Sequence, residues 1–271
     1  MTTEARPDAV QRQQFYEEFS LATGLRDWLQ PNARHLQLKL EVSDLVAGRS
    51  GLRILDVGCG AGVMTAYLTR YGRVTGLDFS EAAIAAARGL APRAEFVAGS
   101  LDALPRDARF DLIALFDVLE HIPEEERPAF LADVRELLAT DGTLFISTPF
   151  PAYTAHRRIE GDDTLQVVDE EIELPQITAE AAELGLQLVR FRAFDVFRGS
   201  PEYQVMVFIA ERSPGGPPVL VAPRLQRRLR LMRSRHWRRA RKLGLAMRLI
   251  ARGRFREARW MLTGVAPHVR S

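Results

Sequence analysis

A chain of 271 residues with 46% hydrophobic content can bury one substantial core plus attachments, and no run reaches the about 18 apolar residues of a membrane-spanning helix. The net charge of +2 hides an asymmetry: residues 211–271 hold 17 basic side chains against two acidic ones, leaving an acidic body and a basic, almost lysine-free tail. A single cysteine, Cys59, excludes an intramolecular disulfide and fits a reducing cytoplasm, and the first residues lack the apolar segment of a secretory signal.

From about Pro7 to Gly48 apolar residues recur at three-to-four spacing (Phe15, Phe19, Trp28, Leu38, Val42, Leu45), which predicts two helices ahead of a sheet. Leu52 to Val57 reads as a first strand, and Val63 to Arg70 as a helix behind a glycine turn. Val74 to Leu77 is a second strand, and Ser80 caps a helix of strong formers. Strands follow at Glu95 to Ala98 and Asp111 to Phe116. Pro123 opens a helix to about Ala139, Asp141-Gly142 makes a turn, and Thr143 to Ser147 is a fifth strand. Residues 150–175, with prolines at both ends, read as a long functional loop. A short helix at Thr178 to Leu184 leads to strands at Leu186 to Phe197 and Tyr203 to Ala210, joined tightly enough to be antiparallel.

Strands alternating with helices imply an α/β fold with a largely parallel sheet. The expected organisation is a helical cap over 1–50, a sheet domain over 51–211 and an arginine-rich helical tail over 212–271.

The chemistry centres on ILDVGCGAG, Ile54 to Gly62. Its apolar strand drops into Gly58, Gly60 and Gly62, so the backbone can approach a ligand unshielded by side chains. A dinucleotide-binding turn needs G-x-G-x-x-G; here the glycines alternate, and Asp56 lies two residues before the first. That spacing suits a cofactor with an amino-acid end and no phosphate. Asp78, at the end of the second strand, sits where a carboxylate can take two hydrogen bonds from a ribose diol.

With RVTGLDFS (Arg73 to Ser80), GSLDALP (Gly99 to Pro105), FDLIALFDVLEHI (Phe110 to Ile122) and DGTLFISTP (Asp141 to Pro149), the chain resembles the class I S-adenosylmethionine-dependent methyltransferases, in their small-molecule branch. The resemblance covers roughly 52–210. It implies a Rossmann-like seven-stranded, mostly parallel sheet with an antiparallel last strand, and S-adenosyl-L-methionine as cofactor. It places Asp56, Gly58, Gly60 and Gly62 at the methionyl part and Asp78 at the ribose. Phe79, Leu101 and Asp102 fall around the adenine, and Asp117 faces the cofactor, with Glu120 supporting the wall.

Two histidines compete as general base, His121 in FDVLEH and His156 in FPAYTAHRR. Tyr153, Arg157, Arg158 and Gln166 are acceptor-site candidates, joined by Asp169; the two arginines would hold an anionic acceptor. Asp162-Asp163 has no third ligand in view, so no metal is expected. The favoured activity is methyl transfer to a small-molecule or glycan acceptor, with a hydroxyl oxygen preferred. Alternatives are an RNA methyltransferase recruited by the tail, which the acidic body disfavours, and a non-catalytic adenosyl-binding scaffold. Residues 224–262 form a basic amphipathic pattern suited to an anionic membrane surface, a nucleic-acid backbone, or packing on the body or on a second copy in a homo-oligomer. The expected location is the cytoplasm, with peripheral contact at the inner membrane surface.

Overall fold

The computed structural model describes residues 25–30, 32–160, 168–196 and 199–210. The expectations for Gln166, Asp162-Asp163 and the basic tail therefore lie outside the described residues. A helical turn over 25–29 precedes helix α1 (Ala33–Leu45), whose first turn is capped by Asn32 accepting from the His35 amide. Then come β1 (Leu52–Val57), α2 (Val63–Leu68), β2 (Gly72–Asp78), α3 (Glu81–Leu90), β3 (Glu95–Ala98), β4 (Phe110–Phe116), α4 (Arg127–Leu137), β5 (Leu138–Pro149), α5 (Pro151–Glu160), α6 (Leu174–Glu183), β6 (Leu186–Phe194) and β7 (Tyr203–Ala210).

The seven strands lie in the order β3-β2-β1-β4-β5-β7-β6. Pairings among β1 to β5 are parallel, and β7 runs antiparallel to both β5 and β6. The order reverses between β1 and β4, the switch point outside whose carboxyl ends ligands bind in open α/β sheets.

Central strands are apolar on both faces, as helices on both sides require. Alternate residues therefore serve two cores. Leu112, Ala114, Phe145, Val205 and Val207 join Leu38, Val42 and Leu45 of α1. Ile113, Leu115, Leu144, Ile146, Met206 and Phe208 join Leu131 and Val134 of α4 and Ile177 of α6. Burying a side chain such as Leu38 or Leu131 contributes about 1.5–3 kcal/mol.

Four local expectations are corrected. Residues 150–175 are not a loop throughout: Pro151 is the first residue of α5 and Pro175 stands in the first turn of α6. Proline lacks only an amide that a helix start leaves unpaired, so both prolines begin helices. For the same reason Pro128, rather than Pro123, stands in the first turn of α4. Asp141-Gly142 lies within β5, where the pairing with β4 jumps from Phe110↔Leu138 to Leu112↔Thr143. The extra residues are taken up in a bulge instead of ending the strand. Strand β6 stops at Phe194, short of Phe197.

Candidate active site

The glycine turn after β1 has left-handed backbone at Gly58 (φ 66°), Gly60 (φ 49°) and Gly62 (φ 81°). The three positions differ in what a side chain would meet. A Cβ on Gly58 would lie 2.6 Å from Cγ2 of Val118, and one on Gly62 would lie 3.2 Å from Ala87 and Phe96. A Cβ on Gly60 would meet nothing within 4 Å. Gly58 is thus small for packing, whereas Gly60 borders open space at the mouth of the sheet.

Asp78 braces this turn. Its Oδ2 accepts from the Gly60 amide (2.8 Å), its Oδ1 from the Ser80 amide (2.9 Å), and its carbonyl from the Gly99 amide (3.0 Å). Burial raises the carboxyl above the ordinary aspartate range, and the two amides partly offset this. Beneath the turn, Asp56 is 1% exposed and its Oδ2 accepts from Thr65 Oγ1 of α2 (2.5 Å). Burial pushes its carboxyl up to about 7, with the Thr65 bond opposing and Asp78 adding to the rise. Asp56 is therefore tied to α2, the helix that follows the turn. Phe79, beyond Asp78, is 39% exposed. Leu101 and Asp102 begin a 3-10 turn after β3, where Ser100 Oγ donates to the exposed Asp102 (2.5 Å).

The segment leaving β4 closes the other side. Asp117 holds a left-handed backbone (φ 56°), a strained state for a non-glycine residue. It is held there by bonds to β5, its amide donating to the Ser147 carbonyl (2.9 Å) and its Oδ1 accepting from Ser147 Oγ (3.0 Å). Its Oδ2 pairs with Arg34 of α1. Arg34 also lies 3.6 Å from Asp27 and 5.6 Å from the centre of the Tyr203 ring. The helical turn at 25–29 is anchored on the glycine turn by Trp28, whose Nε1 donates to the Ala61 carbonyl (2.7 Å). The N-terminal segment is in this way fixed to both halves of the site.

Glu120 and His121 belong to a 3-10 turn, Leu119–His121. Glu120 is 2% exposed, and neither carboxyl oxygen has a hydrogen-bond partner among the described residues. Burial raises it to about 8, so its neutral form dominates near neutrality. His121 Nδ1 lies 2.7 Å from the Val168 carbonyl and 3.5 Å from Asp169 Oδ1, while Nε2 lies 3.9 Å from Glu120 Oε1. Burial lowers the imidazole below its ordinary value, and Val168 and Asp169 oppose that shift.

The remaining candidates separate. Tyr153 lies 6.3 Å from Tyr203 in a tilted ring contact, with the Arg157 guanidinium 5.6 Å from its centre. Arg158 is engaged elsewhere, donating to the Asp169 carbonyl (2.7 Å) and pairing with Glu171. The expected pair of arginines on one acceptor is thus divided, with Arg157 on the aromatic side. His156 is half-exposed and pairs with Glu160 one turn along α5 (3.3 Å). No cluster with the makings of a metal site occurs among the described residues. Arg34, Tyr203 and Ser147 were not singled out from sequence. Arg34 sits among polar residues on a helix, and Tyr203 and Ser147 lie inside apolar strand runs.

Residues 54–142 match the model of the Methyltransferase domain family, the stretch that supplies the glycine turn, Asp78 and the 117–121 segment. That stretch is thus a methyltransferase domain, in keeping with the resemblance to the class I S-adenosylmethionine-dependent methyltransferases. This methyltransferase domain is 32% identical over 135 residues to the ubiquinone biosynthesis O-methyltransferase of Coxiella burnetii, a match covering 45% of this chain and 57% of that protein. The chain thus spans little more than half the length of the curated relatives it matches.

Among solved structures, the N-methyltransferase NodS from Bradyrhizobium japonicum, in complex with S-adenosyl-L-homocysteine, superposes with a TM-score of 0.61 at 17% identity, covering 74% of this chain and 100% of that one. The Burkholderia thailandensis 1,6-didemethyltoxoflavin-N1-methyltransferase, with bound 1,6-didemethyltoxoflavin and S-adenosylhomocysteine, gives 0.59 at 20% identity, covering 78% and 94%. These two likenesses show the fold, which by itself fixes no acceptor.

Proposed function

We propose that this protein is an S-adenosylmethionine-dependent methyltransferase acting on a hydroxyl oxygen of a small molecule. The observation that carries this reading is the open space at Gly60, a bared backbone braced by Asp78, in the turn whose Gly58 meets Val118 of the segment leaving β4. Two lines fit an adenosyl cofactor there. A side chain at Gly60 would fill the space, and Asp78 offers a second lone pair on each oxygen for ribose hydroxyls. Phe79 would cover the adenine face, with Leu101 and Asp102 beside it, and Asp117 and the glycine turn would hold the methionyl end.

When bound, the cofactor supplies a methyl group already activated on a positive sulfur. What this chain adds is alignment, exclusion of water and a place for the acceptor's proton. Tyr153, Tyr203 and Arg157 would seat the acceptor, and His121 would take its proton. His121 suits this better than His156: it is largely buried on the segment leaving β4, whereas His156 stands half-exposed beside Glu160. A lowered pKa keeps the imidazole neutral and able to accept at pH 7. The carboxylate of Asp117 also favours a positively charged donor nearby. The C. burnetii relative, named an O-methyltransferase, supports oxygen as the methylated atom. A glycan hydroxyl is an acceptor of the same chemistry.

The test is calorimetry with S-adenosyl-L-homocysteine followed by transfer of labelled methyl from S-adenosylmethionine to a panel of hydroxylated, amino and thiol acceptors. Micromolar binding and transfer to hydroxyls support the reading. Binding without transfer to any acceptor favours a scaffold, and absence of binding removes the proposal. For the basic tail we propose contact with an anionic surface; deletion from Ser213 should weaken association with phosphatidylglycerol vesicles and leave cofactor affinity unchanged.

A further inference from the structure

We propose that Asp169 and the Val168 carbonyl are the positioning groups of His121, fixing its tautomer and holding the charge it gains; this rests on the methyltransferase reading above. A carbonyl oxygen can only accept a hydrogen bond. With Val168 O 2.7 Å from Nδ1, the proton of the neutral ring must sit on Nδ1. The lone pair is then on Nε2, the nitrogen on the Glu120 side, 3.9 Å from its carboxyl oxygen. The side chain of free histidine prefers the proton on Nε2, so the protein has selected the opposite tautomer.

The backbone carrying Val168 and Asp169 is pinned from two sides. The Glu170 amide donates to the Glu120 carbonyl (2.7 Å), which ties the strap to the turn that carries the histidine. Arg158 of α5 donates to the Asp169 carbonyl (2.7 Å) and pairs with Glu171. Arg158, a candidate acceptor ligand in the sequence, thereby acquires a structural part: it holds the strap that orients the base. Asp169 Oδ1, 3.5 Å from the same Nδ1, is placed to stabilise the imidazolium.

The arrangement follows the general logic of a base oriented by a carboxylate on its far nitrogen. As the acceptor oxygen takes the methyl, its O–H bond breaks and the proton forms an N–H bond with the Nε2 lone pair. The pair of the broken methyl–sulfur bond stays on sulfur. The resulting imidazolium lies between Glu120 on its own turn, Asp169 on the strap, Arg34 on α1 and Arg157 on α5. Asp169 opposes the two guanidiniums, Glu120 being neutral near pH 7, and with the Val168 carbonyl it borders the protonated Nδ1 edge.

The experiment is nitrogen NMR of the full chain labelled with ¹⁵N-histidine, the His121 signals being assigned with His121→Asn. The wild-type protein should show His121 in the Nδ1–H tautomer at pH 7.5. In Asp169→Asn its titration midpoint should fall by about one pH unit, the size expected when an opposite charge at this range is removed. The acid limb of methyl transfer should move by the same amount. S-Adenosyl-L-homocysteine affinity, measured on the same samples, should stay within about twofold, since Asp169 is not among the groups assigned to the cofactor. An Nε2–H tautomer in the wild-type protein, or an unshifted midpoint in Asp169→Asn, overturns the proposal. If that variant does not fold, the wild-type tautomer decides alone. Loss of homocysteine-analogue binding by the wild-type protein would instead count against the methyltransferase reading.

Discussion

Substituting Gly58 and Gly60 separately distinguishes packing from ligand access within one turn. Both residues have left-handed backbone, so any side chain costs about 1–2 kcal/mol through the conformation alone. At Gly60 the added carbon meets nothing within 4 Å, and the cost ends there. At Gly58 the new carbon would lie 2.6 Å from Val118 Cγ2, roughly an ångström inside ordinary contact. Relieving such an overlap adds about 1–3 kcal/mol. Gly58→Ala should therefore destabilise by about 2–5 kcal/mol and Gly60→Ala by about 1–2 kcal/mol.

Urea unfolding reads both values, and Val118→Ala combined with Gly58→Ala should recover the packing share but not the backbone share. Calorimetry should invert the ranking. Gly60→Val should weaken S-adenosyl-L-homocysteine by at least about 100-fold while unfolding only slightly earlier than wild type, because its branches enter the space assigned to the ligand. If Gly60→Val binds the ligand undiminished, the open space is not the cofactor site and the reasoning fails. Equal destabilisation by the two alanines would refute the packing argument.

Other expectations follow from the same geometry. Glu120 rises from an ordinary value near 4.5 to about 8 on folding, and Asp56 from 3.8 to about 7. A carboxyl raised in this way contributes its full stability below its unfolded value and loses it as pH climbs through the folded one. Stability should accordingly decline from about pH 4 to about pH 8, and Glu120→Gln should flatten that decline by on the order of 5 kcal/mol, read from unfolding midpoints across pH. A variant with the wild-type slope would show that Glu120 is not buried neutral. Trp28→Ala should cost about 3–5 kcal/mol through lost packing and the lost bond to Ala61, and should also weaken homocysteine-analogue binding. Unchanged affinity would detach the 25–29 turn from the cofactor side of the site.

The cofactor half was legible because its determinants are local. Three alternating glycines, an acid two residues before them and another closing the next strand lie within Ile54 to Asp78, and the strand periods around them are strong. The acceptor half depends on distant partners. Arg34 reaches Asp117 from a helix far earlier in the chain, and Tyr203 meets both Arg34 and Tyr153. No spacing rule announces such contacts. The prolines misled in one direction: Pro151 and Pro175 look like breakers in a string, but each sits where a helix begins. The bulge at Asp141-Gly142 was hidden for a related reason, since a turn dipeptide within a strand can be absorbed by an irregular register. Asp78 fits the expected position, with one addition: both its oxygens already secure backbone amides, so it shapes the turn as well as offering itself to a sugar.

One strand's reversal sets how this domain can diversify. Because β7 runs against β5, with Tyr203 opposite Pro149, its opening residue arrives at the rim where its neighbours finish. The connection from β6 therefore hangs over the proposed acceptor side rather than at the far end of the sheet. Insertions or trimming there would remodel what the proposed site admits while leaving the glycine turn after β1, three places away in the sheet, untouched.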